Sequence, residues 1–243
     1  MGRAFEFRKA RKMKRWSKMS KAFTRIGKEI VIAVKEGGPD PDGNAKLRSI
    51  IQNAKAANMP LDTVTRAIKK ASSKDQKNFK ELVYEGYAAH GIAILIETAT
   101  DNPTRTVADV RSYFNKTNGT LATNGSVEFL FDRKCHFKIE KKEIDVEEFE
   151  FEMIDFGAEE IFEEEAEDDN PAFIIIYGEF PNFGNIQKAL EERSLDIVES
   201  GFERIPLNTK ELSEAEQEDV EKLLEKLDEN DDVLNVYHTM AEN

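Results

Sequence analysis

The residues with the clearest chemical potential are the cations at the start of the chain. Residues 1–28 contain eleven Lys or Arg and a single acid, Glu6, in a protein whose formal net charge is −13. Residues 1–80 carry a formal charge of +14, which leaves −27 for residues 81–243. A basic segment of this density is typical of a surface that binds phosphate. The acidic remainder repels the same ligand, so contact is limited to one end of the molecule. We therefore predict a nucleic-acid-binding segment formed by Arg3, Arg8, Lys9, Arg11, Lys12, Lys14, Arg15, Lys18, Lys21, Arg25 and Lys28.

These cations are too densely spaced for all of them to read bases. Phosphate contacts position a protein on nucleic acid without selecting a sequence, so we expect low intrinsic sequence specificity. A run of charge is also common on a solvated helix face, which is the alternative interpretation. One acid among eleven bases, next to a strongly acidic remainder, favours nucleic acid.

The side chains that most often perform catalysis are few and scattered. His90, His136 and His238 are far apart in the sequence, and Cys135 is the only cysteine. The GxxxxGK[ST], GxGxxG and CxxC motifs are absent. A hydrolase would require a pocket that collects histidines and carboxylates from distant positions. We therefore predict a protein that is not an enzyme and has no cofactor and no metal site.

The strongest acidic run is the segment 143–169, which contains fifteen Asp or Glu and no base. The ligand spacing of a calcium-binding EF-hand loop is absent from it. We interpret this run as a solvated face or a protein-binding face.

The elements that position the basic segment are helical. Apolar residues recur at helical spacing over residues 20–36, about 44–57 and 61–70, with cations on the other positions. The segment 37–42 contains two glycines and two prolines and ends the first helix, either as a plain capped turn or as a contact element of the basic domain. Residues 1–78 are thus predicted to form a small helical domain.

The hydrophobic period changes after residue 80. Residues 82–87 and 92–98 predict a β-hairpin, and residues 127–131 predict a further strand. Asn102 and Pro103 are a typical helix start, so the capping of a helix accounts for these two residues. Near the C-terminus, a capping box at Ser213 opens a helix that a final strand follows.

The middle of the acidic region has a different order of elements. Residues 132–205 predict strand, helix, strand, strand, helix and strand, which is the ferredoxin-like order βαββαβ. The C-terminal helix and strand need a sheet to join, and the segment 79–131 has an incomplete one. We therefore predict an α+β protein of three domains: residues 1–78, residues 79–131 with 206–243, and an acidic domain, 132–205, inserted into the second.

Seven short blocks occur in order along the chain. They are Lys21-Ala22-Phe23-Thr24, Glu36-Gly37-Gly38 with Asp40-Pro41, Ala56-Ala57-Asn58-Met59-Pro60, Arg66-Ala67-Ile68-Lys69-Lys70, Tyr84-Glu85-Gly86-Tyr87, Thr100-Asp101-Asn102 with Arg105-Thr106, and Gly125-Ser126-Val127. With these blocks the sequence resembles the YebC/PmpR family of regulators, whose mitochondrial members are translational activators of cytochrome c oxidase subunit I. The resemblance implies one helical and two ferredoxin-like α/β domains, the third inserted into the second. The start departs from the family, because Phe5 stands where the family has a tryptophan.

Composition also bears on the compartment. The longest apolar runs are five residues, too short to span a bilayer, and charge interrupts the first 28 residues too often for a secretory signal. The basic start resembles an organellar transit peptide in composition, but it aligns with the family's own start. A single cysteine fits a reducing compartment. We expect a cytoplasmic protein without a membrane partner.

Two binding functions follow from the resemblance. One is a DNA-binding transcriptional regulator, the label most of the family carries, although no helix has the pattern of a major-groove reader. The other is a ribosome-associated translation factor that contacts structured RNA and assists elongation through difficult peptides such as proline runs. Cations with few aromatics suit duplex DNA and structured ribosomal RNA equally. The acidic domain is a second candidate surface, for the ribosome or other proteins.

Overall fold

The computed structural model of the protein describes residues 3–73, 78–165 and 171–241, with side chains from residue 20 onward. The helices are α1 (Arg3–Gly37), α2 (Ala45–Ala56), α3 (Leu61–Ala71), α4 (Pro103–Lys116), α5 (Val146–Ile154), α6 (Phe183–Glu192) and α7 (Glu214–Asp228). The strands are β1 (Lys80–Tyr87), β2 (Ala93–Thr100), β3 (Thr120–Leu121), β4 (Phe131–Glu140), β5 (Ala158–Glu164), β6 (Phe173–Glu179), β7 (Ile197–Pro206) and β8 (Val233–His238).

The N-terminal region is helical, as predicted. The helix expected over residues 20–36 is the second half of α1, which extends back to Arg3. Its apolar stripe packs with α2 and α3 around Ile30, Leu47 and Val64, all of which are buried. Three helices of this size bury one shared core, and their outer faces are left for charged residues.

The first sheet has the strand order β3-β1-β2-β8, with antiparallel neighbours. Helices α4 and α7 cover one face of it, around Ile96, Phe114 and Val220. Part of the other face packs against α1, where Ile32 meets Ala99. Strand β8 comes from the end of the chain, so the C-terminus returns to this sheet as predicted.

The second sheet has the order β5-β6-β4-β7, again with antiparallel neighbours, which is the arrangement of a ferredoxin-like βαββαβ unit. Helices α5 and α6 pack on one face of it around Phe137, Met153 and Leu190. The α+β class with a helical region, two sheets and an insertion is thus confirmed. The exact domain boundaries given above stay predictions.

The strand predicted over residues 127–131 is wrong. Residues Glu128–Leu130 form a 3₁₀ turn, and β4 begins at Phe131. The Glu85 carboxylate on β1 accepts the backbone N–H groups of Gly125, Val127 and Glu128, at 2.6, 2.6 and 2.9 Å. Those N–H groups are therefore unavailable to a β-ladder, although the residues are apolar enough for a strand.

The length and composition of the helices bear on membrane insertion. None of those within residues 3–73, 78–165 and 171–241 is both long and apolar enough to cross a bilayer.

Candidate nucleic-acid interface

The predicted basic segment lies along α1. Eight of its eleven cations occupy the part of the helix before residue 20, and their side chains lie outside the described residues: Arg3, Arg8, Lys9, Arg11, Lys12, Lys14, Arg15 and Lys18. At about 1.5 Å of rise per residue, the backbone from residue 3 to residue 19 spans roughly 25 Å of helix. That length matches several phosphate spacings of a duplex, about 1.7 Å of axis per charge.

Two of the other three predicted cations contact the second domain. Arg25 donates from Nη2 to Asp228 Oδ1 at 2.7 Å and from Nε to the carbonyl of Val233 at 3.0 Å. Lys21 Nζ lies 3.3 Å from Asp228 Oδ2. Both cations are half-buried, and their contacts hold α1 against α7 and β8.

Lys28 is the third, and it is buried. Its Nζ donates to Asp232 Oδ1 at 2.7 Å and to the carbonyls of Ala99 and Asp231 at 2.9 and 2.7 Å. These three acceptors satisfy the three donors of the ammonium group. Lys28 therefore has no donor left for a phosphate.

Asp232 collects further donors from the second domain. Its Oδ2 accepts from Arg105 at 2.6 Å, from Thr106 at 2.9 Å and from Thr100 at 3.2 Å. Burial raises the pKa of Asp232, but the hydrogen bonds from Arg105, Lys28 and Thr106 lower it by more, to about 2. The block that contains Thr100, Arg105 and Thr106 is thus part of a domain junction.

A further group of exposed cations in the basic domain lies on α3. Arg66, Lys69 and Lys70 occupy one exposed side of this helix, opposite the buried Val64. None of them forms an ion pair with an acid among the described residues; Arg66 Nε donates to the carbonyl of Asp62 at 3.0 Å. These cations are three and four positions apart, which places them on one face of the helix. This spacing could have identified them as site residues from the sequence alone.

The turn after α1 is explained by its own hydrogen bonds. Asn44 donates from Nδ2 to the carbonyls of Ala33 and Gly38 and accepts the N–H of Leu47, so it joins the end of α1 to the start of α2. A Cβ on Gly37 would lie 2.7 Å from the Asn44 side chain, and Gly38 has a φ of +87°. The glycine block of this turn therefore has a structural role.

The scattered histidines and the cysteine do not form a recognisable catalytic group. His90 Nε2 lies 3.2 Å from Asp219 on α7, whereas His136 lies on β4. The Cys135 thiol is buried in the second sheet, and this burial raises its pKa to about 11, so it is a poor nucleophile. Within the described residues, no three His, Cys, Asp or Glu side chains come together in a way that could hold a metal ion.

Comparison with known proteins adds an independent line of evidence. The family model described as the TACO1/YebC protein N-terminal domain matches residues 3–74, and the TACO1/YebC second and third domain matches residues 79–240. A probable transcriptional regulatory protein of Flavobacterium johnsoniae is 67% identical over 242 residues, which cover 100% of each chain. One from Parabacteroides distasonis is 56% identical over 243 residues, covering 100% of this chain and 98% of the relative.

A solved structure agrees with this match. The crystal structure of a conserved hypothetical protein from Aquifex aeolicus has a TM-score of 0.75 to the present fold at 35% sequence identity. The alignment covers 91% of this chain and 90% of that one.

Proposed function

The chain belongs to the TACO1/YebC family, and from that premise we propose that it is a non-enzymatic, cytoplasmic regulator of gene expression that binds nucleic acid through its basic helical domain. Relatives at 67% and 56% identity carry the name of probable transcriptional regulatory proteins. Duplex DNA is therefore the first ligand to test.

The observation that carries the proposal is the distribution of charge over the fold. Residues 1–80 have a formal charge of +14 and residues 81–243 have −27, so phosphate is attracted to one end of the molecule and repelled by the rest. Lys21, Arg25 and Lys28 are engaged with Asp228 and Asp232. The proposed surface therefore consists of the cations of α1 before residue 20, together with the exposed cations of α3.

The test replaces Lys9, Arg11, Lys12, Lys14 and Arg15 together by alanine. Because phosphate contacts do not depend on sequence, we expect affinity for every duplex to fall by a similar factor. The matched control removes five cations from the other two domains: Lys116, Lys142, Lys188, Lys222 and Lys226. Fluorescence anisotropy on labelled duplexes measures both variants, and equal losses in the two would show that only net charge matters.

Salt dependence gives a second measurement. Each neutralised phosphate releases condensed counterions, so log K should fall with log salt at about −0.9 per contact. With about half of the cations of the proposed surface engaged, eight on α1 before residue 20 and three on α3, we expect a slope on the order of −5 for the intact protein and a shallower one for the five-alanine variant. A slope near zero on duplex DNA and on structured ribosomal RNA would reject the proposal. If the protein binds structured RNA but not duplex DNA at physiological salt, the result would favour a function in translation over one in transcription.

A further inference from the structure

A cavity of about 670 Å³ lies where the three domains meet. Its walls include side chains of α1 and α2, of β1, β2 and β8, and of β4 and β7. This volume is within the range of small-molecule sites, which are often found at domain interfaces. Several apolar groups line the cavity: Leu82, Val83, Phe180, Phe183, Phe202 and Leu234.

Most charged groups of the cavity are paired with each other. The closest ion pairs are Lys46 with Glu81 at 3.5 Å and Arg204 with Glu97 at 3.0 Å, and the imidazole of His136 lies 3.9 Å from the carboxylate of Glu199. Two charged groups of the lining are left over, the carboxylate of Glu29 and the guanidinium of Arg133. Neither forms an ion pair or a hydrogen bond with another side chain in the part of the chain that the structure describes.

Glu29 lies on α1, in the wall that the helical domain contributes. Burial raises the pKa of its carboxyl group to about 7; Lys46 on α2 and Arg25 on α1 lower the pKa, whereas Glu81 on β1 and Glu97 on β2 raise it. A carboxylate in this position is destabilised by its surroundings. A cation placed beside Glu29 would remove that cost.

Arg133 lies in the wall that the inserted domain contributes. Its guanidinium stacks 3.7 Å from the ring centroid of Phe180 and 5.6 Å from that of Phe202. Stacking fixes the plane of the group and leaves its N–H edge without an acceptor. A planar guanidinium held in this way suits a carboxylate, which it can bind through two parallel hydrogen bonds.

We propose that this cavity binds a small zwitterion of the amino-acid type. Its ammonium group lies at Glu29, its carboxylate lies at Arg133, and its apolar side chain packs on the phenylalanines between the domains. The ligand replaces the two missing partners, so both charges become paired on binding. This proposal is independent of nucleic-acid binding, because none of the cations assigned to that surface lines the cavity.

Three probes that share one aromatic body test the two charged contacts. L-phenylalanine carries both charged groups, 2-phenylethylamine lacks the carboxylate, and 3-phenylpropionate lacks the amine. We expect phenylalanine to bind at least about tenfold more tightly than either of the others, because each of them lacks one of the two charge-assisted hydrogen bonds. Isothermal titration calorimetry on the intact protein measures the three affinities. Absence of phenylalanine binding at millimolar concentration, or equal binding of all three probes, would overturn the proposal.

Two variants assign the contacts. Glu29→Gln should remove the preference for phenylalanine over 3-phenylpropionate, and Arg133→Gln should remove its preference over 2-phenylethylamine. Arg193→Gln is the control, since Arg193 pairs with Glu152 outside the cavity and should leave all three affinities unchanged. If Glu29→Gln binds phenylalanine as tightly as the intact protein does, Glu29 is not the ammonium partner and the assignment fails.

Proton release provides a readout that a purely structural role of Glu29 would not produce. Burial holds the pKa of Glu29 above its ordinary range, and a neighbouring ammonium favours the ionised form. Titrations in two buffers with different ionisation enthalpies should therefore show a release of protons when phenylalanine binds. The release should vanish in Glu29→Gln, and its persistence there would contradict the proposal.

Discussion

At the scale of single residues, Asp232 shows how one carboxylate can join two domains. It accepts hydrogen bonds from Lys28 of the helical domain and from Arg105, Thr106 and Thr100 of its own domain. Removal of one partner from a buried pair is costly because the other charge is left without compensation. Loss of the Asp232 carboxylate would therefore leave Lys28 uncompensated at this junction.

We expect Asp232→Asn to lower the free energy of unfolding by about 3 kcal/mol, since Lys28 then stays buried beside a neutral amide. The folded-state pKa of about 2 is below the ordinary value of 3.8, so this contribution is present above pH 4 and is lost as the pH falls towards 2. Urea denaturation between pH 3 and pH 7 measures both effects. Asp231→Asn is the control, because only the backbone carbonyl of Asp231 contacts Lys28. Equal midpoints for the two variants would contradict the role of Asp232.

Glu85 is a second residue whose effect is local and testable. Burial raises the pKa of its carboxyl group, but three backbone N–H donors and Arg204 lower it by more, so the pKa is below its ordinary value. In Glu85→Gln a single amide oxygen replaces two carboxylate oxygens, and at least one buried N–H loses its acceptor. We expect the free energy of unfolding to fall by about 1–3 kcal/mol and hydrogen exchange to become faster at Gly125 and Val127. Unchanged exchange at these amides would show that the turn does not depend on Glu85.

At the scale of elements, the cations of α1 fall into two groups along its length. Lys21, Arg25 and Lys28 contact the second domain, whereas the cations before residue 20 are those proposed for phosphate. Helix α3 packs beside α1 in the same core and exposes three further cations. The two helices together form the proposed surface.

We expect replacement of Arg66, Lys69 and Lys70 by alanine to weaken binding to duplex DNA and to make the salt slope shallower by about 0.9 for each phosphate that is no longer neutralised. The melting temperature should hardly change, because these side chains are exposed. The control removes three cations from α6 and α7, Lys188, Lys222 and Lys226, with the same change in net charge. If the two variants bind alike, α3 is not part of the interface.

At the scale of the whole molecule, side chains of α2 cover the edge of the second sheet. Asn53 Nδ2 donates to the carbonyl of Ser200 on β7 at 2.6 Å, and Asn53 Oδ1 accepts the N–H of Ser200 at 3.0 Å. Arg48 pairs with Glu191 at 3.1 Å beside them. The Asn53 side chain thus takes the place that a further strand would occupy beside the edge strand β7. The same contact fixes the helical domain on the inserted domain.

We expect Asn53→Ala to reduce the protection of the Ser200 amide against hydrogen exchange by about tenfold, which corresponds to roughly one net hydrogen bond. Lys55→Ala changes an exposed residue of the same helix and serves as the control. Small-angle scattering should show a larger radius of gyration for Asn53→Ala if this contact holds the two domains together. Full protection of Ser200 in Asn53→Ala would contradict that role.

The sequence by itself determined the features that depend on neighbouring residues. The helical period, the change to strand-forming residues after residue 80, and the βαββαβ order predicted the fold class correctly. Asn102 and Ser213 begin their helices as predicted, because helix caps are built from residues two or three positions apart. The opposite charges of the two parts of the chain are also fixed by composition alone.

Tertiary structure decided what depends on residues far apart in the chain. Lys28 has the appearance of an exposed cation in a basic run, yet it is buried against Asp232, 204 positions away. Residues 127–131 have the composition of a strand, but the Glu85 carboxylate takes N–H groups of this segment. The cavity with Glu29 and Arg133 exists only where three domains meet. Local patterns carry no information on such contacts, since the energy that fixes each of them comes from a partner brought near by folding.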